Sequence, residues 1–157
     1  MILAPLLAGL LAVQPTQATY VRGLEGLDPA SANNLHRRLH GSGMEISTGI
    51  KSLKISYFSP RTRNPEGQQQ RLSGVLFLPS RGRAKGLVIY CHGTQAVRDS
   101  APSRAPKDAF APAITFISKG FAVAMPDYLG LGDSDEVHPF PLGKINAGSA
   151  IDIIEPA

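Results

Sequence analysis

Two spacings of apolar residues organise the chain. Leu53, Ile55 and Tyr57 alternate with Ser52, Lys54 and Ser56, the period of two that predicts a strand with one apolar and one wet face. Residues 72–78, LSGVLFL, stop at Pro79 and predict a second strand, antiparallel to the first in a hairpin at the sheet edge. Between them, residues 59–70 (SPRTRNPEGQQQ) hold two prolines, a glycine and no apolar run, which predicts a loop. Leu87-Val88-Ile89-Tyr90 lacks polar alternation and predicts a strand buried on both faces. Residues 121–125, closed by Pro126, predict another. Residues 109–119 between these strands space Phe110, Ile114 and Ile117 as one helix face, with Pro112 in the first turn or so and Gly120 as a stop. Strand, helix and strand in that order predict a βαβ unit with parallel pairing, hence an α/β fold class. Residues 144–155 predict a final helix whose apolar stripe is Ala147, Ala150, Ile151 and Ile154.

The front of the chain reads differently. Residues 1–18 carry an apolar stretch from Ile2 to Val13, then the small residues Thr16 and Ala18, the pattern of a signal peptide cleaved after Ala18. That predicts a secreted or periplasmic protein, and the stretch is too short for a convincing membrane span. Residues 19–43 form a polar segment with a short helix over 32–39. Its His36 and His40 have the spacing of two metal ligands on one helix face, but no Glu or Cys completes a site, so a solvated face is expected. Residues 44–157 then carry the strands and helices of a single, partial α/β domain.

Composition narrows the function classes. With 43% hydrophobic and 18% charged residues, 157 residues can build a globular core. The net charge is +4, spread over Arg37-Arg38, Arg61/Arg63, Arg81/Arg83/Lys85, Arg98 and Arg104, with 6% aromatic residues. Such scattering argues against nucleic-acid binding. The single cysteine, Cys91, precludes an internal disulfide, and its apolar run predicts a buried, inert thiol.

Candidate chemistry gathers where the strand at 87–90 breaks into His92-Gly93-Thr94-Gln95, because ligands of open α/β sheets bind at the carboxyl ends of strands. On the residues alone HGTQ is equally a plain β-turn. A serine nucleophile needs a tight strand–turn–helix elbow, G-x-S-x-G. Gly132-Asp133-Ser134-Asp135-Glu136 ends in Glu, Gly41-Ser42-Gly43 places the Ser directly after a Gly, and Gly148-Ser149 sits inside a predicted helix as a packing pair. None is an elbow. His138 with Asp133 and Asp135 has metal-ligand atoms but loop spacing, and no metal site is expected.

LVIYCHGTQ followed by MPDYLGLGDSDEVHPF at 125–140 resembles the α/β-hydrolase superfamily, in its secretory lipase and esterase branch. The resemblance covers about residues 50–155 and implies the N-terminal part of such a sheet: an antiparallel hairpin, then parallel strands. It implies an oxyanion donor at Thr94 or Gln95, with His92, Gly93, Asp127 and Tyr128 shaping the pocket. His138-Pro139-Phe140 matches an HPY-like segment with Phe in place of Tyr. The family order Ser, acid, His excludes His92, His138, Asp127, Asp133 and Asp135 from a triad. The implied substrate is a lipid or short-chain carboxylic ester, with no cofactor. Lacking nucleophile, acid and base, the chain is expected to be inactive by itself and to leave its last parallel strand as an open edge. The alternatives are a noncatalytic truncated remnant or binding protein of the same fold, and the front of a related serine peptidase.

Overall fold

The structure, a computed structural model, describes residues 19–41, 46–63 and 66–157. The stretch read as a signal peptide, together with Ser42 and Gly43, lies outside them. Strand β1 (Thr19–Leu27) is followed by helix α1 (Pro29–His40), then β2 (Ile50–Arg63), β3 (Gln69–Pro79), β4 (Leu87–Ile89), α2 (Pro106–Ile117), β5 (Ala122–Pro126) and α3 (Gly143–Asp152). The sheet order is β1-β2-β3-β5-β4. Only the β4–β5 pair, joined through α2, is parallel; β1–β2, β2–β3 and β3–β5 are antiparallel.

The hairpin and the βαβ unit are as the sequence predicts, and their placement differs. The hairpin is interior: β1 covers β2, and β3 pairs with β5. β1 went unpredicted because TYVRGLEGL carries two glycines and two charges without a clean alternation. The loop over 59–70 is shorter than expected, since β2 runs to Arg63 and β3 begins at Gln69. The open edge is β4, not the last strand, and its three residues are half-buried rather than enclosed on both faces.

Alternation along the strands sorts the core into two layers. Val75, Phe77, Val123 and Met125 meet Phe110, Ala113, Ile114 and Ile117 of α2 on one face. Leu72, Leu76 and Ala124 meet Tyr57, Leu129 and Ile153 on the other. The expected wet face of β2 is buried: Ser52, Lys54 and Ser56 are 2%, 6% and 2% exposed. The polar groups of Ser56 and Lys54 are matched locally, whereas Ser52 Oγ is buried without a partner. Arg71 Nε donates to Ser56 Oγ at 2.8 Å, and Lys54 pairs with Asp133 at 2.6 Å. The two histidines of α1 divide, with His36 turned inward and His40 exposed. His36 is buried, its ring is 4.8 Å from that of His40, and His40 Nε2 lies 2.9 Å from Thr115 Oγ1 of α2.

Helix α3 reverses its predicted stripe. Ile151 and Ile154 are about half exposed, whereas Gly148, Ser149 and Asp152 face β2. The reason is a polar clamp. Asp152 accepts from Ser59 Oγ (2.6 Å) and the Arg61 amide (3.1 Å), and pairs with the Arg61 guanidinium. Tyr57 Oη donates to Ser149 O at 2.9 Å, and a side chain at Gly148 would press on Arg61 and Thr62. Gly148-Ser149 is thus a packing pair, as the sequence suggests. Buried donors stripped of their acceptor cost more than an ordinary hydrogen bond returns. Asp152→Ala is therefore expected to lower unfolding stability by about 2–3 kcal/mol in urea titration, and Ile151→Ala by less than about 0.5 kcal/mol.

Candidate functional site

Parallel β4 and β5 end at the same side of the sheet, bringing two sequence-distant segments together. The Tyr90 amide still pairs with Ala124 O at 2.9 Å, and the chain then leaves the sheet through Cys91-His92-Gly93-Thr94-Gln95. Cys91 is exposed, not buried, because it emerges where β4 has no outer neighbour. His92 Nδ1 lies 2.8 Å from Gly93 O. A carbonyl can only accept, so the ring donates through Nδ1. Nε2 is buried without a partner, as is Gln95 Oε1. Both residues line a cavity of about 220 Å³ with Tyr90, Ser100 and Met125. Among the described residues, the amides of Thr94 and Gln95 have no acceptor. A side chain added at Gly93 would meet nothing within 4 Å, so the turn faces open space.

The opposite wall is built around Asp127, which is wholly buried. Its carboxylate accepts from Ser73 Oγ (2.5 Å), the Ser103 amide (2.8 Å) and the Ser103 hydroxyl, while its own amide donates to Ser73 O at 2.9 Å. Burial pushes the Asp127 carboxyl above its ordinary value, and the serine donors oppose that without cancelling it. The turn after β5 wraps this carboxylate so closely that Gly132 (φ 59°) has no room for a side chain, which would overlap Asp127 and Ser73. Tyr128 holds a left-handed backbone (φ 70°) rare for a tyrosine. Its ring lies 4.3 Å from that of His92 at 36°, linking the two walls. Burial, and then the neighbouring Cys91 sulfur, raise its hydroxyl above the ordinary phenol range.

The remaining acidic and histidine candidates do not converge. Asp133 is held by Lys54 and by Arg104 at 3.0 Å. Burial of Asp133 opposes ionisation, but these two cations outweigh it and hold its carboxyl below the usual value. Asp135 is fully exposed beside Arg98 at 3.7 Å. His138 Nδ1 is 2.6 Å from Leu129 O, which braces the glycine turn. No group of three metal-ligating side chains occurs among the described residues. Sequence reading missed Ser73, Ser103, Lys54 and Arg104, whose roles depend on segments that meet only in the folded sheet.

A hairpin, a crossover helix, the strand order β2-β3-β5-β4 and a glycine turn leaving β4 together define the front part of an α/β-hydrolase fold. The solved structures that share it agree. A presumed hydrolase from Legionella pneumophila superposes with a TM-score of 0.72 at 24% identity, over 88% of this chain and 37% of its own. The rice cell wall degrading esterase LipA from Xanthomonas oryzae, in a mutant form, matches with a TM-score of 0.70 at 25% identity, over 88% of this chain and 36% of its own. Its ligand-bound form gives 0.69 at 23% identity. This chain therefore spans little more than a third of the length of those proteins. Neither a protein-family model nor a curated protein matches it by sequence.

Two outcomes test this construction. Gly132→Ala is expected to cost about 3 kcal/mol or more in denaturant titration, through left-handed strain and overlap with a buried carboxylate. For Asp133, a lowered folded-state pKa means its contribution is present above the ordinary carboxylate value of 3.8 and lost as pH falls through the folded value. The raised pKa of Asp127 acts with the opposite sign, losing stability as pH rises through its folded value. Asp133→Asn is thus expected to flatten the acid limb of a stability–pH profile, while Ser134→Ala leaves that limb unchanged.

Proposed function

We propose that the chain forms the oxyanion side of a serine ester hydrolase acting on lipid or short-chain carboxylic esters. The observation that carries this reading is the pair of unpartnered amides, Thr94 and Gln95, at the carboxyl end of β4 above open space. An acyl carbonyl attacked by a serine turns into an oxyanion, and each preorganised N–H aimed at it lowers the barrier by about 3 kcal/mol. Backbone donors at a strand end suit this task because the sheet fixes their direction before substrate arrives. The His92–Tyr128 ring contact backs the turn. His92 orients the turn and is not the general base, since its Nδ1 proton is used within the turn and no carboxylate holds the ring.

The nucleophile, the acid and the base belong to sequence outside these 157 residues, which contain no G-x-S-x-G. The likeness to an esterase supports the ester class. The apolar stretch at 2–13 supports export to a secreted or periplasmic location. Among the described residues no helix is long and apolar enough to cross a membrane.

A serine-directed phosphonate and p-nitrophenyl butyrate provide the test. The protein from its native source is expected to exceed the 16.7 kDa of this chain in intact mass and to take the phosphonate on a serine outside residues 1–157. The purified 157-residue chain is expected to show neither labelling nor turnover. Phosphonate-sensitive turnover by that chain alone would overturn the reading.

A further inference from the structure

At the other end of the sheet, where the chain enters β4, lies a cleft of about 420 Å³ lined by Arg81, Arg83, Lys85 and Lys119 with Thr48 and Ser118. Elsewhere in the fold Lys54, Arg61, Arg98, Arg104 and Lys107 each lie within 4.0 Å of a carboxylate. Arg81, Arg83 and Lys85 form no such pair, and among the described residues no Asp or Glu lines the cleft.

The acceptors in the cleft are already used. Helix α2 ends here, and its carbonyl dipole would ordinarily draw the cations inward. However, Gly120 O takes the Lys85 amide at 2.8 Å, Ile117 O takes the Gly120 amide at 2.9 Å, and Lys119 O takes Lys85 Nζ at 3.1 Å. Thr48 Oγ1 receives the Arg81 amide at 3.2 Å, and Ser118 Oγ donates to Thr115 O at 2.8 Å. Two guanidinium groups therefore stand at a concave surface whose other polar groups are satisfied. Guanidinium forks match the paired oxygens of a phosphate in charge and in spacing.

We propose that this cleft is an anion site for a phosphate group, carried by a free anion or by a lipid headgroup. The site is independent of the esterase reading, because Lys85 and His92 flank β4 (Leu87–Ile89) at opposite ends, seven steps of chain apart, about 23 Å if fully extended. A membrane seated on the cleft would leave the β4 turn facing away from the lipid, so the free anion is the expected source.

The experiment titrates the 157-residue chain with inorganic phosphate by calorimetry and, in parallel, with phosphatidylcholine vesicles with and without phosphatidylglycerol. The expected result is phosphate binding that weakens about tenfold or more in the double variant Arg81→Gln/Arg83→Gln and falls with added sodium chloride. The control variant Arg37→Gln/Arg38→Gln, at the far end of α1, should bind as the parent does. Binding to phosphatidylglycerol vesicles alone, lost in the Arg81/Arg83 variant and kept in the control, would assign the headgroup as the source. Absence of both kinds of binding, or equal loss in the control variant, would overturn the proposal. Both variants are exposed substitutions whose folding is checked by circular dichroism.

Discussion

Sealing the carboxylate of Asp127 away from water costs several kcal/mol unless donors meet its oxygens, and the donors come from parts of the chain that have no other reason to touch. Ser73 arrives from the middle of β3, Ser103 from the segment before α2, and the turn at 130–133 closes over both. Once those contacts exist, the end of β5 cannot move relative to β3, and Tyr128 has no choice of direction. The His92 ring then rests against Tyr128, which sets how the turn after β4 leaves the sheet. The position of the Thr94 and Gln95 amides thus follows from a carboxylate that touches neither of them.

Legibility in the sequence tracked the kind of force involved. Apolar periodicity revealed β2, β3, β4, α2 and β5, because those elements bury side chains whose spacing is their own signature. It failed where polar groups were buried. Ser52, Lys54 and Ser56 read as wet because polarity predicts exposure, and here they are buried, Lys54 against Asp133 of the turn that follows β5. The stripe of α3 failed for the same reason: Ser149 and Asp152 are inside, and two isoleucines remain outside. A buried polar group is stable only with its partner, and the partners of Lys54, Tyr57 and Asp152 are about 80 to 90 residues away in the chain. Cys91 failed by topology, since an apolar run cannot say whether its strand is central or at an edge.

For the site, the HGTQ turn and the PDYLGLGDS stretch were visible in the chain, and the structure brings them face to face through the His92–Tyr128 contact. What held the second of them together was not visible. Glycines at 130 and 132 look like flexibility in a sequence; in the fold they mark where backbone and carboxylate crowd too closely for any side chain. Their permissiveness serves rigidity.

The antiparallel seam between β3 and β5 has a consequence for how the molecule comes into being. The β2–β3 hairpin joins neighbours along the chain, whereas the seam joins Gly74 to Pro126, across the whole of β4 and α2. Closing a longer loop loses more chain entropy before any contact repays it. The hairpin can therefore form early and locally, while the pocket around Asp127 waits for both sides of the crossover. On a nascent chain the candidate site takes shape after the hairpin, and it exists only after residue 133 has emerged.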